Sequence, residues 1–119
     1  MSRSNTETVE EYFRAWLADD QAAFRSLLAD DVDFLGPMGQ VDNAEDCTSS
    51  ISKLRSMLTD IVPLHRWADG DEVITWFELH TSWTAPIPVA NWSHFENGKI
   101  TRIRVTFDAR KFFEGMPQG

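Results

Sequence analysis

The chain has 119 residues, of which 42% are hydrophobic and 12% aromatic, and a formal net charge of -8. This predicts one packed domain over 1–119, and the acidic balance argues against a nucleic-acid partner. No apolar run is long enough to span a membrane, the first residues lack the apolar core of a signal peptide, and a lone Cys47 cannot close an internal disulfide, so the expected location is cytoplasmic.

Val9, Phe13, Trp16 and Leu17 recur at helical spacing with Tyr12 beside them, after Thr6 or after Thr8, which has Glu11 three residues on. Asp19-Asp20 ends that helix. Asp20 caps a short second one carrying Phe24, Leu27 and Leu28 inward, which ends at Ala29-Asp30-Asp31. Residues 32–35 read as a strand closed by Gly36-Pro37-Met38-Gly39. Asp42 or Asn43 caps a third helix, with Cys47, Ile51, Leu54, Leu58 and Ile61 as one apolar stripe.

The remainder reads as strands over 64–68, 72–83, 89–95 and 99–107, joined at Asp69-Gly70-Asp71, Ala85-Pro86-Ile87-Pro88 and Asn97-Gly98. Residues 111–113 form one helical turn capped by Asp108. Helices followed by a run of antiparallel strands predict an α+β fold. The expected form is a cone-shaped barrel, with three N-terminal helices on the concave face of a curved, mainly antiparallel sheet. The open mouth of such a cone is a natural small-molecule site.

Strand parity sorts the side chains. Val73, Thr75, Phe77, Leu79, Thr81 and Trp83 share the more apolar face, and Ile74, Trp76, Glu78, His80 and Ser82 the other. A turn centred on Ile87 sets Trp83 opposite Asn91 and Thr81 opposite Ser93. At Asn97-Gly98 two registers stand. A two-residue loop opposes Glu96 to Lys99 and aligns Asn91 and Ser93 with Arg102 and Arg104. A three-residue loop with a Gly98 bulge opposes Phe95 to Lys99 and sets Asn91 and Ser93 with Ile103, Val105 and Phe107.

Only the second register makes a mostly apolar wall holding two uncharged polar groups. The pocket it predicts comprises Tyr12, Trp16, Phe34, Leu54, Leu58, Trp83, Asn91, Ser93, Ile103 and Val105. The outer face collects Trp76, His80, Trp92 and His94, with the two histidines directly across from each other. Contiguous exposed aromatics predict a homodimer through this face. Two imidazoles lack a third ligand, and no phosphate loop or nucleophile elbow is present, so neither metal nor cofactor is expected. The strand parity of His65 is left open.

The stretches VEEYFRAWLADDQAAFRSLLADDVDFLGPMG and HFENGKITRIRVTFD resemble the SnoaL-like group of the nuclear transport factor 2-like superfamily, across nearly the whole chain. The superfamily includes ketosteroid isomerases, polyketide cyclases, epoxide hydrolases, dehydratases and non-catalytic members. Resemblance to ketosteroid isomerase implies a tyrosine on the first helix, a carboxylate base after the first strand and a protonated acid on a late strand. Tyr12 matches the tyrosine. The base position falls on Gly36, and the acid position on Asn91 or Ser93, so the known isomerase mechanism is not expected.

Two readings follow. In the first, the chain is an isomerase, cyclase or dehydratase without a cofactor, acting on a hydrophobic carbonyl compound. Tyr12 and Asn91 polarise the oxygen, and His65 or Asp108 moves the proton. In the second, the same fold is a non-catalytic binding or dimeric interaction domain.

Overall fold

The computed structural model describes residues 3–116. Helix α1 spans Asn5–Ala18, α2 Gln21–Ser26, α3 Ala44–Arg55 and α4 Arg110–Gly115. The strands are β1 Leu28–Gly36, β2 Gly39–Val41, β3 Asp60–Asp69, β4 Glu72–His80, β5 Ile87–Glu96 and β6 Lys99–Thr106. No helix among the described residues is long and apolar enough to cross a membrane.

Helix α1 begins earlier than the Thr8–Glu11 spacing suggests. Ser4 is the cap, and its Oγ accepts from the Glu7 N–H while the Glu7 carboxylate accepts from the Ser4 N–H. The same four-residue motif occurs twice in succession, and the upstream copy wins because it adds a turn of helical hydrogen bonds. Thr8 lies inside the helix with its hydroxyl donating to the Ser4 carbonyl. The helix buries Val9, Tyr12, Phe13 and Trp16. Each large side chain so buried contributes roughly 1.5–3 kcal/mol. It ends at Asp19 in the left-handed region, and Asp20 caps α2 by accepting from the Ala23 N–H.

Strand β1 is longer than expected and absorbs residues 28–31. Gly36 to Gly39 closes a tight hairpin to β2, a strand with no sequence periodicity to announce it. The apolar stripe of α3 outruns its helix. Asn43 caps α3, the helix ends at Arg55, and Leu58 and Ile61 reach the same core from the following turn and from β3.

The six strands form one sheet in the order β2-β1-β6-β5-β4-β3. Only the β1–β6 pair is parallel. The sheet curves but does not close, since β2 and β3 are free edges, so the expected barrel is an open, cupped sheet. Pro63 sits on the β3 edge strand, where a missing N–H is tolerated. The helices cover the concave face, and Phe77, Leu79, Val89, Phe95 and Ile103 meet them from the sheet.

The loop after β4 departs from the expected Ile87-centred turn. β4 stops at His80, because the Thr81 hydroxyl accepts from the backbone N–H groups of Trp83 and Thr84 and so ends the ladder. Leu79 therefore pairs with Ile87, Thr75 with Asn91 and Val73 with Ser93. His80 pairs with Asp60 and His94 with Glu72, so the two histidines do not oppose each other.

The β5–β6 register combines both options. Glu96 opposes Lys99 across a two-residue turn, with Asn97 at φ 53 and Gly98 at φ 77. Positive φ at both central positions suits an Asn-Gly turn of the primed type. One step later the ladder shifts. Phe95 pairs with Ile100 and His94 with Arg102, which leaves Thr101 without a partner. That bulge restores the parity the short turn removes, so Asn91 pairs with Val105 and Ser93 with Ile103.

Candidate functional site

A cavity of about 280 Å³ opens between α1, α3 and the concave face of the sheet. Tyr12 and Trp16 of α1 form its roof. Ile51 and Leu54 of α3, with Met57 from the turn after it, form one wall, and Phe77, Leu79, Val89, Asn91 and Val105 its floor. Phe34, Gly36, Pro37, Met38 and Phe107 stand round the mouth and far wall, with Ser50 and Lys53 on the α3 side. Its size falls just below the usual range of ligand sites, roughly 300–1,000 Å³.

The polar groups form a directed chain. Ser93 Oγ donates to Asn91 Oδ1 at 3.2 Å, and Asn91 Nδ2 donates to Tyr12 Oη at 3.5 Å. All three residues are buried. With its oxygen accepting from Asn91, Tyr12 keeps a hydroxyl hydrogen for which no acceptor occurs among the described residues. Burial, reinforced by the nearby Cys47 and only partly offset by the bond from Asn91, holds the phenol far above its ordinary value. Tyr12 is thus a neutral donor. The Trp16 indole N–H is also buried and has no partner among the described residues. At the cavity, Tyr12 and Asn91 present donors.

Of the residues predicted from the sequence, Tyr12, Trp16, Phe34, Leu54, Asn91 and Val105 line this one cavity. Leu58, Ser93 and Ile103 are buried but do not line it. Ser93 lies behind the wall and orients the Asn91 amide. Trp83 is elsewhere. Its indole donates to the Phe112 carbonyl at 3.1 Å and packs on the Phe112 ring, because the loop carries it away from Asn91 to α4.

Neither expected proton carrier reaches the cavity. A bulge at Leu64, between the Pro63–Phe77 and His65–Trp76 pairs, turns His65 to the outer face, where it is exposed and stacks against Trp67. Asp108 is exposed and clamps the Arg110 guanidinium. Those bonds, the largest effect, hold its carboxyl down to about 2. Asp108 accepts from the Arg110 N–H but does not cap α4, whose cap position is Ala109.

The pocket predicted from the sequence leaves out Met57, Val89 and Lys53 among others, and Phe107 although the bulged register sets it on the same wall. Phe107 and Val89 were legible by parity with Val105 and Asn91, whereas Met57 and Lys53 depend on how α3 ends. Gly36, where the resemblance puts a base, does border the cavity, and its backbone brings no ionisable group there. A Cβ at that position would meet Val105 Cβ at 3.4 Å and a Phe34 ring carbon at 3.5 Å, so the glycine is not forced by crowding.

The sequence profile described as the SnoaL-like domain matches residues 9–103. This chain belongs to the SnoaL-like family. A search of curated proteins finds no match. Among solved structures, a protein from Kribbella flavida DSM 17836 superposes with a TM-score of 0.84 at 22% identity, covering 91% of this chain and 89% of the other. An epoxide hydrolase of the LEH-like kind from M. tuberculosis gives 0.77 at 19%, covering 94% and 88%. A putative polyketide cyclase from Sinorhizobium meliloti gives 0.77 at 16%, covering 87% and 99%. At these identities the likeness extends to the fold. Within the SnoaL-like cup, this chain lines its cavity with no carboxylate and no imidazole among the described residues.

Proposed function

We propose that this SnoaL-like protein binds a small, largely apolar molecule bearing a carbonyl-type oxygen, and holds it without moving protons. One observation carries the reading. The cavity has two neutral donors at its inner end, on Tyr12 and Asn91, and no carboxylate or imidazole in its lining among the described residues. Donors without a base polarise an oxygen, but shifting a proton between carbons needs a group within hydrogen-bond reach to receive it. The names of the relatives, an epoxide hydrolase and a putative polyketide cyclase, favour turnover instead. That alternative requires a carboxylate or imidazole base, and none lines this cavity among the described residues. A buried thiol as the sole cysteine is compatible with the cytoplasm as the site of action.

The test uses 2-acetylnaphthalene and its carbonyl-free counterpart 2-ethylnaphthalene. Calorimetric titration is expected to show the ketone binding about tenfold tighter, the worth of one good hydrogen bond. NMR in heavy water is expected to show no deuteration of its methyl protons above buffer. Equal affinities would remove the role of the donors, and protein-dependent deuteration would restore the enzyme.

The outer face supports a second proposal, a homodimer. Trp67, Ile74, Trp76 and Trp92 lie side by side across β3, β4 and β5, each 39–59% exposed. Aromatics on neighbouring strands make a patch of the kind that mates with a copy of itself. His94 borders it, bonded to Glu72, while His80 sits at the far end of β4. Light scattering should give twice the chain mass, and Trp76→Glu with Trp92→Glu should halve it.

A further inference from the structure

Lys53 stands out in the cavity lining. Its neighbours on α3 are engaged: Ser52 donates to Asp19 Oδ1, and the Arg55 guanidinium donates to the carbonyls of Leu17 and Leu58. Lys53 makes no ion pair or side-chain hydrogen bond with any described residue, in a chain of net charge -8 where acidic side chains outnumber basic ones. Ser50, one turn earlier on the same helical face, also has no side-chain hydrogen bond among the described residues, and both line the cavity. An exposed lysine in the last turn of a helix is favourable simply through the helix dipole. Its position on this rim is what gives it a further use.

The cavity thus has two ends of different chemistry. The inner end offers the Tyr12 hydroxyl and the Asn91 amide, both neutral donors. The middle is aliphatic and aromatic. The rim offers one cation and one hydroxyl, and no carboxylate lines the wall to compete with a ligand for them.

We propose that the ligand is an amphipathic organic acid, its carbonyl inserted against Tyr12 and Asn91 and its carboxylate paired with Lys53 at the mouth. The inference rests on the binding reading above and adds the charge and the direction of the ligand to it. The net negative charge of the chain does not oppose it. At physiological salt, charges more than about 8 Å away are largely screened, whereas a contact pair is not. The pair lies at an exposed rim, so its effect is modest, about two- to fivefold in affinity. It sets orientation and selectivity more than strength.

The probes are 6-acetyl-2-naphthoic acid and its methyl ester, titrated calorimetrically into the unmodified protein and into Lys53→Met, at low and at high salt. The acid is expected to bind the unmodified protein about fivefold tighter than the ester, and to lose that advantage in high salt. In Lys53→Met the two probes should bind alike, and an unchanged circular dichroism spectrum shows that the variant folds. If the ester binds and the acid has no advantage, or keeps it in Lys53→Met, this inference falls and the neutral binding reading stands. If neither probe binds, both fall together.

Discussion

The side-chain amide of Asn91 on β5 donates to the phenol oxygen of Tyr12 on α1 at 3.5 Å, joining residues 79 apart in the chain. The bond fixes the roof of the cavity to its floor. It also decides what Tyr12 can do, since an oxygen that accepts from the amide has its hydrogen left over. Tyr12→Phe removes the acceptor and the donor at once. Carbonyl-probe affinity should fall about tenfold, and stability by about 1 kcal/mol, because a buried amide loses one partner. Titration with 2-acetylnaphthalene and urea denaturation read the two effects separately. Unchanged binding would show that the phenol does not face the ligand.

Deleting Thr101 tests the register itself. Without the extra residue, Arg102 follows Ile100 directly, so the two-residue turn at Asn97-Gly98 runs straight into the Ser93–Ile103 and Asn91–Val105 pairs. The deletion is therefore expected to keep Ile103 and Val105 inward and to fold cooperatively. Thr101→Ala, which keeps the bulge, should fold with losses of about 1 kcal/mol from its hydroxyl bonds to the His94 carbonyl and the Glu96 carboxylate. Thermal denaturation followed by circular dichroism reads both. A deletion that fails to fold would contradict the bulge.

Asn91→Asp puts a carboxyl at a position 1% exposed. Burial raises the folded-state pKa above the unfolded value of about 3.9. The unfolded chain then releases its proton first as pH rises, so the variant loses stability relative to the unmodified protein from about pH 4 upward. The loss approaches about 1.4 kcal/mol for each pH unit between the two pKa values. Urea denaturation of both proteins at pH 4, 6 and 8 should show a widening gap. A gap independent of pH would place residue 91 in contact with water.

The surface carboxylates have the opposite sign. Hydrogen bonds from Gln40 and Arg104 hold Asp33 below its ordinary 3.8, and Arg110 holds Asp108 down to about 2. Such groups stabilise the fold above their unfolded pKa, and the contribution is lost as pH falls through the folded value. The contribution from these two is therefore level above about pH 4 and declines from there toward pH 2. Asp33→Asn should flatten part of that decline, measured as the urea midpoint between pH 2 and 5. An unchanged slope would mean the Arg104 contact is solvated away.

Much of the fold was legible because it follows from local periodicity. The spacing of Val9, Phe13 and Trp16 gives α1, and alternation along β4 separates Val73, Thr75, Phe77 and Leu79 from Ile74 and Trp76. Tyr12 and Asn91 were candidates for the same reasons, and the cavity holds both. The failures share a cause. A side chain's face depends on every residue counted between it and a fixed pairing, and one unpaired residue inverts the answer. Leu64 is such a residue before His65, and Thr101 before Ile103. Trp83 went astray because the Thr81 hydroxyl competes with the ladder, a contest between local bonds that alternation does not register.

The sequence by itself determined the α+β order, the apolar faces and the absence of a carboxylate at position 36, since composition and periodicity act within each segment. Only the tertiary structure decided that the amide of Asn91 points into the cavity and the imidazole of His65 points out of it. Both outcomes turn on bulges, and a bulge persists where neighbouring strands and packed helices together bury more apolar surface with the extra residue than without it.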